Sequence, residues 1–302
     1  MKLPACMQVF ERGWLSSNNI LFQGENSTAL VDSGYLTHAP QTVALVRHAL
    51  GTRPLDWLVN THLHSDHCGG NAALQERYGC RTRIPDAQAA AVRAWDQDAL
   101  SFTSTGQQCA RFGFTDTMHP GDVLTLGDLA WQVLGAPGHD PHALILYCES
   151  ARLLISADAL WENGFGVVFP ELDGVSGFVE TRATLALIAE LDIALVIPGH
   201  GAPFTDISGA LKRAASRIDY LAANPLRNAQ NAIKVLLKFL LLERQQVRLD
   251  QVPALLSGIR LFRDTNRRFL GLPEECLAHW AVAQLQRAGA AKMVGDLLVN
   301  LD

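Results

Sequence analysis

The densest concentration of chemistry in the chain is Thr61-His62-Leu63-His64-Ser65-Asp66-His67, with four imidazole or carboxylate groups inside six residues. Such groups are the usual nitrogen and oxygen ligands of zinc, and also suit iron or manganese. Side chains alternate in direction along extended chain, so His62 and His64 point to one side and can share an ion. Asp66 and His67 begin the next turn and can reach toward a second. Three more ligand-type residues each follow a short apolar run of strand character: His139 in Ala136-Pro137-Gly138-His139, Asp158 in Ser156-Ala157-Asp158, and His200 in Pro198-Gly199-His200-Gly201. Strand ends leading into tight turns are where a rigid scaffold delivers side chains to a common cleft.

Strands and helices in a fixed order are needed to bring these seven residues together. Apolar runs at 19–22 and 28–31, separated by Gly24-Glu25-Asn26, predict a hairpin that Asp32-Ser33-Gly34 ends. Val43, Leu45, Val46 and Leu50 predict an amphipathic helix over 41–50. A strand over 57–59 runs straight into Thr61-His62, and a helix over 70–78 follows. A short strand is expected at 83–85 and a helix over 86–97. Strands are predicted at 123–126, 130–134, 143–148 and 153–156, then a helix over 178–191 and a strand at 194–197. The polar loop 100–119 and the Gly- and Phe-rich loop 162–177 are long enough to expect function in them. Mixed strand and helix runs of this kind make an α/β protein with sheets inside and helices outside.

The texture changes after Pro203. Ile207, Leu211, Ala214, Ile218 and Leu221 share one helical face, and Asn224-Pro225 breaks it. Helices are expected over 228–244, 249–257 and 273–288, with Val294-Gly295-Asp296-Leu297 turning between two short strands. That arrangement resembles a winged-helix module, giving a catalytic domain over 1–222 and a winged-helix-like domain over 223–302.

The H-x-H-x-D-H run with a distant His, Asp and His resembles the motif of the metallo-β-lactamase superfamily, with all seven positions filled. Asp32-Ser33-Gly34 is similar to that family's D-x-G turn, and the resemblance covers about residues 8–205. It implies a four-layer αβ/βα sandwich with the site at one edge, between two sheets. It also implies two divalent ions, zinc before iron or manganese. His62, His64 and His139 would hold the first, and Asp66, His67 and His200 the second. Asp158 would bridge them. His64 stands where diiron flavoproteins of this fold carry a carboxylate. Asp158 does not match the Cys of exported antibiotic-degrading enzymes. The pattern looks more like glyoxalase II, lactonases and cytosolic β-lactamase-like proteins with a winged-helix tail, and the C-terminal reading agrees with the last.

Departures from the pattern mark further candidates. Asp140 follows the third His where relatives carry Ser or Thr, and can orient a ligand imidazole. His142 is either a substrate contact or a hydrogen-bonded structural residue. Cys68 reads as a small buried hydrophobe. Trp161, Phe165 and Phe169, with Leu172, either wall an apolar pocket for substrate or pack the interior, and Phe102, Phe112 and Phe114 leave the same choice.

Charge and cysteine usage narrow the function classes. The net charge of −5 gives no overall attraction to nucleic acid or an anionic membrane. It is uneven: from Pro203 onward there are 14 basic and 9 acidic residues, against 11 and 21 before it. None of the six cysteines forms a C-x-x-C pair, and no apolar run approaches a bilayer's span. No secretory pattern stands in 1–12. The expectation is a cytoplasmic, non-membrane enzyme acting on a small acyl substrate. The ions would share and acidify a water, and the bridging hydroxide would open an ester, thioester or lactone. Asp66 would hold its ion, orient the nucleophile and pass a proton to the leaving group. The alternative is a metal-dependent endoribonuclease or other nucleic-acid hydrolase. It would use the basic tail, where Arg260, Arg263, Arg267 and Arg268 cluster around Phe262 and Phe269. The apolar stretch 235–242 suits a homodimer surface as well as core.

Overall fold

Strand residues that alternate between two apolar sides organise the first two thirds of the chain. A computed structural model describes residues 3–301. Met1, Lys2 and Asp302, which belong to the readings of 1–12 and of the second domain, lie outside them. Among these residues one sheet has β1 (Met7–Phe10), β2 (Asn19–Gln23), β3 (Thr28–Val31), β4 (Trp57–Val59), β5 (Arg81–Pro85) and β6 (Asp116–Met118), in that order. Pairing is antiparallel up to β3 and parallel from β3 to β6. The second sheet has β7 (Val123–Leu126), β8 (Leu129–Gly135), β9 (Leu144–Cys148), β10 (Leu153–Ala157) and β11 (Leu195–Pro198). It is antiparallel until β11 joins β10 in parallel.

The two sheets face each other. Ile20, Phe22, Val31 and Val59 meet Trp131, Val133, Leu146, Ile155 and Ile197 in one buried cluster. Intervening residues point the other way, as period-two alternation requires. Leu21, Leu30 and Leu58 pack against α1 (Ala39–Leu50) and, beyond the short α2 (Ser65–Cys68), against Leu74 of α3 (Asn71–Tyr78). The helices α4 (Ala89–Ala94) and α5 (Phe102–Thr105) and the turn α6 (Pro170–Asp173) follow. On the outer side of the second sheet, Ile145, Leu154 and Val196 pack against α7 (Phe178–Ala189) and α8 (Ile207–Ala222). The layers run helix, sheet, sheet, helix. Burying a Leu, Ile or Phe in them stabilises by about 1.5–3 kcal/mol each before entropy is subtracted.

The C-terminal region is largely helical, with α9 (Pro225–Arg244), α10 (Val252–Gly258), α11 (Arg260–Thr265) and α12 (Glu274–Arg287). A small antiparallel sheet accompanies them: β12 (Gln246–Arg248), β13 (Ala291–Val294) and β14 (Leu297–Asn300), in the order β12-β14-β13. Ile233, Leu236, Leu237 and Leu241 of α9 join Phe262, Leu277, Ala281 and Leu298 in a core of their own, which Val167 and Leu172 also enter. The apolar stretch 235–242 therefore spends most of its side chains inside the chain.

Several expected boundaries move. The helix placed at 228 begins at Pro225, with proline in its first turn and Asn224 capping it by accepting from the Leu226 N–H at 3.1 Å. The helix placed over 86–97 is a 3-10 turn followed by α4, which stops at Ala94. Trp95 takes a left-handed φ of 55° and packs on Phe102 and Phe112. The loop 100–119 contains α5 and β6, and α11 and β12 were not expected at all. These elements span three to six residues, too few for a period to show.

Candidate metal centre

Each of the seven residues leaves its element at the same edge of the two sheets. β4 ends at Val59, and Asn60-Thr61 carries the chain to His62 and His64. His64 is the N-cap of α2, so Asp66 and His67 occupy that helix's single turn. His139 follows β8, Asp158 follows β10 directly, and His200 follows β11. Asp158 accepts from Trp161 Nε1 at 3.2 Å. Glycine is required where these turns touch. A Cβ on Gly199 would run into Asp158 Oδ1 and the His67 ring, and one on Gly166 into His139.

The side chains converge in three groups whose ligand atoms lie within 4.8 Å of one another: His62, His64 and His139; Asp66, His67 and His200; and His62, His67 and Asp158. Asp158 stands between the first two groups. Its Oδ2 lies 3.4 Å from His139 Nε2, while its Oδ1 lies 3.3 Å from His67 Nε2 and 3.8 Å from His200 Nε2. Asp66 Oδ2 lies 3.1 Å from His200 Nε2.

The donor set fits a cation. His139 donates Nδ1–H to the Val167 carbonyl at 2.6 Å, which leaves its Nε2 lone pair facing His64 Nδ1 at 2.8 Å. His67 donates Nδ1–H to Asp32 Oδ2 at 2.8 Å, which turns its Nε2 to the cluster without hydrogen-bond geometry to Asp158. His62 Nε2 is likewise buried without a partner. Buried nitrogens aimed at one another and left unpaired are costly unless something accepts their lone pairs.

The protonation states agree. Burial, and then the neighbouring His67 and His64, hold His62 well below its ordinary range. Burial pushes His64 and His139 down to about 4. Burial raises the Asp66 carboxyl less than the His200 hydrogen bond and the charges of His67 and His200 lower it. Burial of Asp158 is outweighed in the same way by His67 and His200, which hold it well below the carboxylate range. His67 moves up instead, because Asp158 and Asp32 outweigh its burial. His62, His64 and His139 are thus neutral beside ionised carboxylates, the states a divalent ion binds, whereas His67 would have to give up a proton to it.

The site opens on a cavity of about 410 Å³ lined by His64, Asp66, His139, Asp158 and His200 at one end. Trp161, Phe165 and Phe169 line it, as does the C-terminal region through Val235, Phe239 and Ala290. Leu172 packs into the C-terminal core instead. His142 is exposed and does not line the cavity; only its backbone N–H reaches inward, to Asp140 Oδ1 at 2.7 Å. Asp140 Oδ2 lies 3.5 Å from His64 Nε2, on the ring's far side from His139. Cys68 is fully buried, 3.8 Å from Cys109 Sγ.

Residues 12–200 match the family profile of the metallo-beta-lactamase superfamily. The chain belongs to this superfamily. Among curated relatives, a hydroxyacylglutathione hydrolase of Rhodopseudomonas palustris is 34% identical over 149 residues, 45% of this chain and 51% of that protein. Its counterpart in Bradyrhizobium is 33% identical over 156 residues, 47% of this chain and 53% of that protein. The chain thus matches about half the length of these relatives. A metallo-beta-lactamase family protein from Thermus thermophilus shares the fold at a TM-score of 0.60 and 19% identity, over 99% of this chain and all of that one.

Three residues of this superfamily member escaped the sequence reading. Asp32, seen only as a turn residue, accepts from Thr61 N, Thr61 Oγ1 and His67 Nδ1, and so fixes both the ligand loop and the His67 tautomer. Asn18 holds the His200 turn by donating to the carbonyls of Pro198 and Gly201 at 3.0 and 2.7 Å. Trp14 stacks on His200 with ring centres 5.5 Å apart. Only Asp32 had a signal, in its Asp-Ser-Gly turn. The arginines of the C-terminal cluster are engaged within the chain. Arg260 pairs with Asp98 and Arg267 with Asp264, while Arg263 and Arg268 donate to the carbonyls of Ser257 and Leu172. No helix among the described residues is long and apolar enough to cross a membrane.

Proposed function

We propose that the protein is a binuclear metal-dependent hydrolase of ester, thioester or lactone bonds in small acyl substrates. The observation that carries this reading is Asp158, one oxygen toward the His139 side and the other toward His67 and His200. In it His62, His64 and His139 would hold one ion and Asp66, His67 and His200 the other, with Asp158 shared between them. Divalent ions, zinc before iron or manganese, would supply Lewis acidity, polarising the acyl carbonyl and bringing a water's pKa toward about 7. Asp66 reaches the cavity more openly than Asp158 and remains ionised. It would take the proton from the attacking water and return it to the leaving group. Trp161, Phe165 and Phe169 would shield the acyl chain from water. The curated relatives, named as hydrolases of hydroxyacylglutathione, support an acyl substrate.

The region 223–302 would act as a winged-helix-like domain that closes the cavity rather than gripping nucleic acid, since each arginine of its cluster has a partner within the chain. Unpaired cysteines suit a reducing compartment such as the cytoplasm. The test is hydrolysis of a panel holding a thioester, a lactone, an aryl ester, a β-lactam and a short RNA, with and without chelator. Chelator-sensitive turnover of an acyl substrate is expected; cleavage of RNA alone would replace this reading with a nuclease.

A further inference from the structure

Arg217 of α8 lines the cavity that holds the metal-ligand cluster, and its guanidinium has no hydrogen bond or ion pair among the described residues. Lys238, also in that lining, is engaged by the carbonyls of Ala290 and Leu301 and by Asn300 Oδ1. The Arg217 guanidinium lies 5.4 Å from the centre of the Phe165 ring. Gly164, at φ 136°, passes so close that a Cβ there would come within 3.1 Å of a guanidinium nitrogen. The same strip of chain then reaches the metal centre. Gly166 leaves no room for a Cβ against His139, and the Val167 carbonyl accepts from His139 Nδ1. Gly164 and Val167 are three residues apart, a span of no more than about 11 Å.

Burial lowers the pKa of Arg217, and burial followed by the charge of Arg217 lowers that of Lys234 on α9. Two cations thus lie near each other in partly apolar surroundings, and neither forms an ion pair among the described residues. Both side chains are half-buried, so an anion entering the cavity would meet positive charge that the protein leaves unpaired. A planar guanidinium prefers a carboxylate, which it can grip with two parallel hydrogen bonds.

We propose that Arg217 determines specificity by pairing with a carboxylate on the acyl substrate, in the cavity that it shares with the metal-ligand cluster. The assignment rests on the hydrolase reading of the adjacent centre. It selects acyl compounds with a short acidic tail over neutral ones.

The test compares a glutaryl thioester with its terminal amide on metal-loaded enzyme. Wild type is expected to favour the acid by about ten-fold or more in kcat/KM, the difference lying in KM. Arg217→Met should lower that acid-to-amide ratio about ten-fold, and Arg217→Lys should restore part of it. Calorimetry with a thioether analogue, its scissile carbonyl replaced by methylene, reads binding without turnover. Its affinity should fall about ten-fold in Arg217→Met or, if that variant does not fold, in Arg217→Gln. Equal turnover of acid and amide by wild type, or analogue binding indifferent to Arg217, overturns the assignment. Arg217-dependent binding without thioester turnover would uphold it and sink the hydrolase reading instead.

Discussion

Two carboxylates in one cluster are given different work by what surrounds them. Asp158 is fastened between His67, His139 and His200 and also accepts from Trp161, whereas Asp66 faces the cavity with His200 as its near neighbour. In the hydrolase account Asp66 therefore moves the proton. Asp66→Asn should lower kcat by about 100-fold or more while thermal unfolding stays near wild type. A variant with normal metal content and unimpaired turnover would remove Asp66 from the mechanism. The histidines make a second prediction, for metal-free protein. His64 and His139 are held at about 4 when folded, against 6.5 ordinarily. Between those values the unfolded chain binds protons that the folded chain refuses, so the share of stability set by these two histidines falls as pH drops from 6.5 to about 4, and below that the depressed Asp66 and Asp158 continue the loss. His67, raised when folded, acts in the opposite sense, losing its contribution as pH rises. A thermal midpoint that does not fall across the acid window would contradict these buried neutral imidazoles. The cluster was legible in the sequence because four of its residues stand within six positions and three follow strands. Asn18 and Trp14 were not, because their contacts lie some 180 residues away in the chain.

Among the elements, strand ends deliver the cluster residues, and at His200 a glycine completes the placement. β11 delivers His200 only because Gly199 lets its backbone pass against Asp158 and His67. Gly199→Ala should reduce metal content and hydrolysis together while far-ultraviolet circular dichroism stays close to wild type; full metal occupancy in that variant would show that the close approach can relax. Sequence patterning carried the elements of regular period, such as β2, β3, β9 and α1. It did not carry α5, α11 or β12. β12 has three residues and is defined by pairing with β14 some fifty residues later, a tertiary fact that local propensity does not contain. α9 began three residues before its expected start because Asn224-Pro225, read as a break, is also a helix-starting pair.

For the molecule as a whole, the sandwich carries the histidine and aspartate cluster and the C-terminal region helps line the cavity beside it. Val235, Phe239 and Ala290 line the same cavity as His64, Asp66 and Asp158, and Leu236, Leu237 and Leu241 tie α9 into the C-terminal core. The charge asymmetry visible in the sequence suggested a nucleic-acid surface, and the fold gives those arginines internal acceptors. In the proposed hydrolase, seven side chains form two sites sharing one carboxylate. Elemental analysis of the purified protein after exhaustive dialysis tests it most directly. The account predicts close to two divalent ions per chain, falling in Asp158→Ala. A wild-type protein that holds no metal, or one ion that Asp158→Ala leaves in place, would contradict it.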